Sequence, residues 1–374
     1  MATSKPRKAK RRPSSRTEHV PAADGLHGQW DLPYVKLTGY NLEVRGRYGF
    51  IGDQASGRAF RKRLEALSRV AKAGQMAPVR SLPTHKTKKK HLDKMLAEGE
   101  PIAGAVVHSA VEAFAQSLAE VVRRYLKQKS WRRVERIVVG GGLSNSRVGE
   151  LAIGRAAILL REQRARPKGS KRRERKVDLV PLTHHPDEAG LIGSVYLVPR
   201  AILQGYNALL TVDIGGTNVR CGVVTFKAGR KAQARATGVW KSELWSHRKH
   251  QPTRDELIAH VTGMLTHFEK TARKAHLKLA PVIGVGCPGI IRGDGSIKRG
   301  TQNLPGNWQG RKFNLPLALK EHLPKIAGHD TLVVLHNDAV VQGLSYLPEM
   351  RDVRAWGVLT VGTGLGNASF ENDD

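Results

Sequence analysis

Ala208-Leu209-Leu210-Thr211-Val212-Asp213-Ile214-Gly215-Gly216-Thr217-Asn218-Val219-Arg220 lies in the middle of the chain. The apolar run Ala208 to Val212 reads as a strand that ends on an acidic residue and then turns sharply on two glycines. Gly215 and Gly216 permit that turn and leave backbone N–H groups unshielded, which suits a phosphate. Thr217 adds a hydroxyl beside Asn218, and Asp213 can hold Mg²⁺ directly or through a water. After Arg220, the apolar positions Cys221, Val223, Val224 and Phe226 read as a returning strand, so the unit is a β-hairpin. A Walker loop would place Lys-Ser/Thr at a helix start, and this turn has no such pair. An ordinary hairpin in a buried sheet is the alternative reading of this segment alone.

Three more segments bear on that choice. Pro281 to Ile291 is an apolar run ending in Gly286-Cys287-Pro288-Gly289, with a second hairpin signal at Gly293-Asp294-Gly295. Thr331 to Leu335 has the pattern of a buried strand and delivers His336-Asn337-Asp338 to its end, ahead of the helical stretch Ala339 to Leu347. Trp356 to Val361 is a further strand, opening into Gly362-Thr363-Gly364-Leu365-Gly366. A polar turn, Thr301-Gln302-Asn303-Leu304-Pro305-Gly306-Asn307-Trp308, completes the set. Together these give two glycine-rich phosphate grips, a strand-end carboxylate and a polar turn, a set that chance assembles rarely.

The stretches DIGGTNVR, GVGCPGIIRGDGSIKRGTQNLPGNW, LHNDAVVQG and LTVGTGLGNA, within residues 208 to 368, resemble the first half of a ROK-family sugar kinase. That family belongs to the wider actin, hexokinase and heat-shock chaperone ATPase superfamily. The resemblance implies an α/β, two-lobe ribonuclease-H-like (actin-like ATPase) fold with a central cleft. Residues 101 to 127 read as a long helix with apolar positions from Val106 to Tyr125. Arg136 to Val139 is a strand entering Gly140-Gly141-Gly142-Leu143-Ser144, Arg147 to Leu160 a helix, and Val177 to Leu182 a strand. Asp187 to Leu197 resembles the family's last helix. A simple βα turn is the other reading of the three glycines.

The order of these parts is reversed relative to the family, which starts at the phosphate hairpin and ends at the adenosine segment. The chain therefore resembles a circularly permuted member, joined through Leu197 to Tyr206. A piece of a longer tandem protein is the competing explanation. The expected organisation is a disordered basic tail over 1–23, an adenosine-binding lobe over 24–200, and a phosphate-binding and catalytic lobe over 201–374.

By resemblance, Asp338 is the general base that takes the proton of a sugar hydroxyl as the γ-phosphate of Mg·ATP is attacked. Asn337 and Asn303 bind the sugar. Gly215, Gly216, Thr217 and Asn218 hold the phosphates from one side and Gly362, Thr363 and Gly364 from the other. Gly140, Gly141 and Gly142 seat adenosine, and Asp213 positions Mg²⁺. The residues leave a structural role open for Asp338, as helix N-cap before Ala339. Two departures from the family set limits. Only Cys221 and Cys287 are present, so no structural zinc is expected. The family's GExGH segment has no copy after Gly366. Residues 24 to 60 stand in its permuted place, where His27, Asp53 and Arg58 could serve instead; surface or helix-cap roles are the favoured reading of the three.

The 374 residues, 40% hydrophobic, suffice for two domains. No signal-peptide pattern opens the chain and no apolar stretch is expected to span a membrane, so the cytoplasm is the default compartment. Cys287 reads as a packing residue. Lys and Arg number 63 against 32 Asp and Glu, a net charge of +31. Met1 to Arg16, His85 to His91 and Arg161 to Lys176 carry basic runs, read as a tail and two exposed loops. Such a surface attracts anionic substrates, and nucleic acid non-specifically at low salt. The expected partners are ATP and a small sugar, a homo-oligomeric assembly, and non-specific nucleic acid through the tail. Two other classes stay open: an inactive sugar sensor on the same fold, and a nucleic-acid-associated protein.

Overall fold

Short, near-continuous apolar runs give the chain two sheets whose central strands are buried on both faces. The computed structural model describes residues 25–47, 49–73, 82–162, 176–181, 183–228, 234–310 and 312–372. The expected tail and most of the run from Arg161 to Lys176 lie outside these. Eleven strands carry the architecture: β1 (Asp31–Leu32), β2 (Val35–Tyr40), β3 (Arg136–Gly140), β4 (Asp178–Pro181), β5 (Ala208–Ile214), β6 (Val219–Lys227), β7 (Arg235–Trp245), β8 (Leu279–Cys287), β9 (Leu332–Asn337), β10 (Ala355–Val361) and β11 (Leu365–Glu371). The main helices are α1 (Gly57–Ala73), α2 (Lys89–Glu98), α3 (Pro101–Leu126), α4 (Arg147–Glu162), α5 (Pro186–Gly193), α6 (Arg254–Lys274), α7 (Leu315–His322) and α8 (Asp338–Leu344).

One sheet has five strands in the order β9-β8-β5-β6-β7. Strands β5, β6 and β7 form an antiparallel meander, and β8 and β9 run parallel to β5. The other has six, in the order β1-β2-β11-β10-β3-β4. There β10, β11 and β2 are the antiparallel meander, with β3 and β4 parallel to β10. Apart from the short β1, the two sheets share one topology. In the six-stranded sheet the third meander strand, β2, comes from far earlier in the chain than its partner β11. Strands β10 and β11, expected in a lobe over 201–374, therefore complete the sheet built by the earlier residues. A sheet follows hydrogen-bond partners, not the position of a segment in the chain.

Alternation sorts the side chains into three cores. Ile137, Val139, Leu359 and Val361 face α1 to α4 on the outer side of the six-stranded sheet. Leu210, Val212, Ile283 and Val285 face α6 and α7 on the outer side of the five-stranded one. The inner faces, through Leu37, Val138, Val358, Leu209, Val282 and Val334, share a third core with α5 and α8. The result is five layers, with two crossing helices in the middle. The 26-residue helix α3 is long and apolar enough, by length and composition, to cross a membrane, contrary to the sequence expectation. Here its stripe from Val106 to Tyr125 is buried against α1, α2 and α4.

Lys89 to His91 begin α2 and are not part of an exposed loop. Leu92, Met95 and Leu96 recur at helical spacing and pack into the outer core, which outweighs the charge run before them. His27 is buried, not a surface residue; its Nδ1 accepts the Leu335 backbone N–H at 3.3 Å. Asp53 and Arg58 are exposed as expected.

Helices α5 and α8 cross where Gly193 offers no side chain. A Cβ there would stand 1.7 Å from the Val341 carbonyl oxygen. Gly193→Ala is accordingly expected to destabilise the chain by roughly 1–3 kcal/mol or more through overpacking. Urea unfolding checks this, and an unchanged midpoint would contradict the crossing.

Candidate functional site

In each sheet the first strand of the meander runs into a glycine-rich turn, and the two turns meet. The turn after β5, Gly215 to Asn218, closes with the Gly215 N–H donating to the Asn218 carbonyl at 2.9 Å. The turn after β10, Gly362 to Gly364, closes with the Gly362 N–H on the Gly364 carbonyl at 3.0 Å. The two turns come from different sheets, yet the Thr217 and Thr363 hydroxyl oxygens are 3.1 Å apart. The glycines expected to hold phosphate from opposite sides are therefore brought face to face. Asn303 joins them: a Cβ on Gly216 would lie 2.9 Å from the Asn303 Cβ. Asn303 thus sits against the Gly215 to Asn218 turn.

The three glycines after β3 adjoin the second turn. Thr360 pairs with Gly140 in the ladder, and Gly141 has a φ of +89°. A Cβ on Gly141 would come 2.6 Å from the backbone N and O of Val361, so only glycine fits that close approach. Gly142 faces open space, and its carbonyl accepts Lys89 Nζ. The sequence signal for Lys89 is only its place in a basic run.

Asp213 is the penultimate residue of β5 and is 2% exposed. A Cβ on Gly190 of α5 would be 2.5 Å from its carboxyl carbon, so the helix lies directly on the carboxylate. Arg220 stands 3.6 Å from Asp213 Oδ2 and is also paired with Asp187 of α5. Oδ1 of Asp213 and Nε of Arg220 are buried without a partner. Burial raises the Asp213 pKa, Arg220 opposes that, and the Asp187 charge adds to it. Arg220 was within the quoted motif, but nothing in the sequence pairs it with Asp187, 33 residues earlier.

Asp338 opens α8 and is only partly buried, and its Oδ1 accepts the Ala339 N–H at 2.9 Å. Gly286 pairs with Asp213 in the ladder, and a Cβ on it would lie 3.5 Å from the Asp338 Cα. Gly286 thus lies between the strand that carries Asp213 and the start of α8. Burial, and then the Asp213 charge, push the Asp338 pKa up to about 7. A carboxylate so poised can take a proton near neutrality.

Asn337 is the N-cap of α8, the role the sequence left open for Asp338. Its Oδ1 accepts the N–H groups of Ala339 at 3.0 Å and Val340 at 3.4 Å, and its Nδ2 donates to the Gly289 carbonyl at 3.0 Å. Its side chain also hydrogen-bonds the neighbouring Asp338 carboxylate, which opposes the rise of that group's pKa. Behind it, His336 Nε2–H donates to the Gln29 carbonyl at 2.9 Å, and Nδ1 accepts the Asn337 N–H at 2.7 Å. That pairing requires a neutral ring, and burial lowers its pKa to about 4. Cys287, buried beside Asp338, has its thiol pushed well above the usual range by burial and by the two aspartates, which suits packing and not nucleophilic attack.

Among the described residues, no cluster of three or more His, Cys, Asp or Glu could hold a metal ion by itself. The orphaned Asp213 oxygen fits a different arrangement, in which Mg²⁺ is held by one carboxylate together with substrate phosphates.

No family model matches this chain, and no curated protein does. Among solved structures, a hexokinase from Schistosoma mansoni complexed with glucose is similar at 16% identity, with a TM-score of 0.30. The match covers 50% of this chain and 50% of that one. An exopolyphosphatase from Cytophaga hutchinsonii is similar at 14% identity and a TM-score of 0.20, over 50% of this chain and 55% of that one. This chain spans about half the length of each. At such scores neither likeness carries an argument, and the chemistry of the cleft rests on its own residues.

The raised Asp338 pKa has a stability consequence. The protonated form is favoured on folding, so its contribution is full below the ordinary carboxylate range and is lost as pH rises toward about 7. Asp338→Asn, neutral at every pH, is expected to melt close to the parent at pH 4 and several degrees above it at pH 8. Calorimetric scans at the two pH values check this, and a difference independent of pH would contradict the raised Asp338 pKa.

Proposed function

We propose that this chain is an ATP-dependent sugar kinase of the ROK type, with its segments in circularly permuted order. The observation that carries the proposal is the meeting of the two glycine-rich turns at Thr217 and Thr363, with Asp338 and Asp213 at the same strand ends. The shared topology of the two sheets supports the permuted order. The six-stranded sheet matches the five-stranded one only when β2 is counted after β11.

In this reading the triphosphate lies between the turns at Gly215 to Asn218 and Gly362 to Gly364. Their backbone N–H groups and the two threonine hydroxyls stabilise charge on the transferring oxygens. Adenosine rests against Gly141 and Gly142. The acceptor hydroxyl donates its proton to Asp338, whose raised pKa makes it a competent base near neutral pH. Asn337 hydrogen-bonds the Asp338 carboxylate and so orients the base toward the acceptor. Asp213 would hold Mg²⁺, which offsets phosphate charge when bound. The net charge of +31 favours the approach of an anionic donor.

The test is ADP release across hexoses and N-acetylhexosamines, with parent and Asp338→Ala. Sugar-dependent turnover in the parent, reduced roughly 10²–10⁴-fold in the variant with ATP binding kept, is the expected outcome. Unchanged turnover in the variant would remove the base. ATP binding by the parent without turnover on any sugar would favour the idle sensor. A second expectation concerns pH: parent kcat should fall as pH drops below about 7, because the base must be ionised. A profile flat from pH 8 to pH 5 would contradict it.

A further inference from the structure

The residues Ser246 to Gln251, after the edge strand β7, form a short helical turn that touches the first phosphate turn from behind. His247 is 3% exposed, and its Nε2 lies 2.9 Å from the Gly215 carbonyl oxygen. A carbonyl can only accept, so Nε2 carries the hydrogen. The next residue repeats the contact, with the Arg248 backbone N–H donating to the Thr217 carbonyl at 3.2 Å. The turn is itself braced. Trp245 stacks on His260 of α6 with centroids 4.0 Å apart and planes at 25°, and on His250 at 5.6 Å. The Gln251 N–H closes the turn onto the His247 carbonyl at 2.9 Å.

We propose that His247 is a positioning residue for the donor phosphates, acting through the peptide planes of the Gly215 to Asn218 turn. In a trans peptide the carbonyl and the following N–H point in opposite directions. Holding the Gly215 carbonyl against His247 turns the Gly216 N–H away from the 246–251 segment. Holding the Thr217 carbonyl against Arg248 does the same for the Asn218 N–H. Neither N–H has a backbone partner among the described residues. Two adjacent glycines leave this loop with more conformational freedom than any other residues would, so an outside restraint is needed to keep its donors aimed. His247 supplies that restraint from a buried, stacked base.

The inference rests on the kinase reading, and its test separates the two. Binding of the non-hydrolysable ATP analogue adenylyl imidodiphosphate with Mg²⁺ is measured by titration calorimetry for the parent, His247→Phe and His247→Gln, alongside the KM for the sugar. Phe keeps the ring volume without a donor, whereas Gln restores an N–H. A roughly tenfold weaker analogue affinity in the Phe variant, an unchanged sugar KM and recovery in the Gln variant are expected. Affinity equal to the parent in the Phe variant would overturn the positioning role, as would an equal loss toward the sugar or failure of Gln to rescue. If the Phe variant does not fold, His247→Leu takes its place with the same expectations. A parent that binds no analogue overturns the kinase reading itself, and the positioning role with it.

Discussion

The crossing of α5 over α8 is the constraint on which the rest of the molecule depends. The inner faces of the two sheets share this middle layer, and its close fit is written in glycines. Gly193 lets α5 approach the Val341 carbonyl, Gly343 lets α8 approach Phe370 and Val358, and Gly284 leaves room for Ser194. Each contact is backbone against side chain or backbone, so the layer is thin and the two sheets stay in fixed register. The same crossing brings Gly190 onto the Asp213 carboxylate and starts α8 at Asp338. Packing of the core and placement of the charged groups are thus one problem with one solution.

Electrostatics follow from that placement. A strongly basic chain buries an aspartate with a single nearby arginine, and sets a second aspartate close enough to feel its charge. Arg220 is shared between Asp213 and Asp187, so it only partly offsets the burial of Asp213. Such an arrangement costs stability in the absence of a cation or a proton and becomes favourable when either arrives. The same strain that raises the Asp338 pKa makes its carboxylate a useful base. Neutral His336, locked between Gln29 and the Asn337 backbone, adds no charge that would cancel the effect.

Much of this was legible in the sequence where local chemistry dictates structure. The strands at 208–214 and 355–361 each run from apolar residues into a glycine turn, and the hairpins form as the pattern requires. Helices α3 and α4 follow from helical apolar spacing. What was not legible is long-range. The pairing of β2 with β11 joins residues more than 300 apart, and no local pattern encodes it. The strand β7, with its mostly exposed face, offers no clear apolar alternation. His27 reads as a surface residue because its burial depends on the edge of β9, and His247 is invisible because its partner is a backbone carbonyl. Asn337 and Asp338 were legible as a pair, but which of them caps α8 is decided by side-chain geometry alone.

The most direct measurement is a crystal structure of the chain with adenylyl imidodiphosphate, Mg²⁺ and a turned-over sugar. The expected result has the phosphates between the Thr217 and Thr363 turns, the purine against Gly141 and Gly142, and a sugar hydroxyl within hydrogen-bond reach of Asp338. Nucleotide bound away from both turns, or a sugar far from Asp338, would contradict the shared cleft.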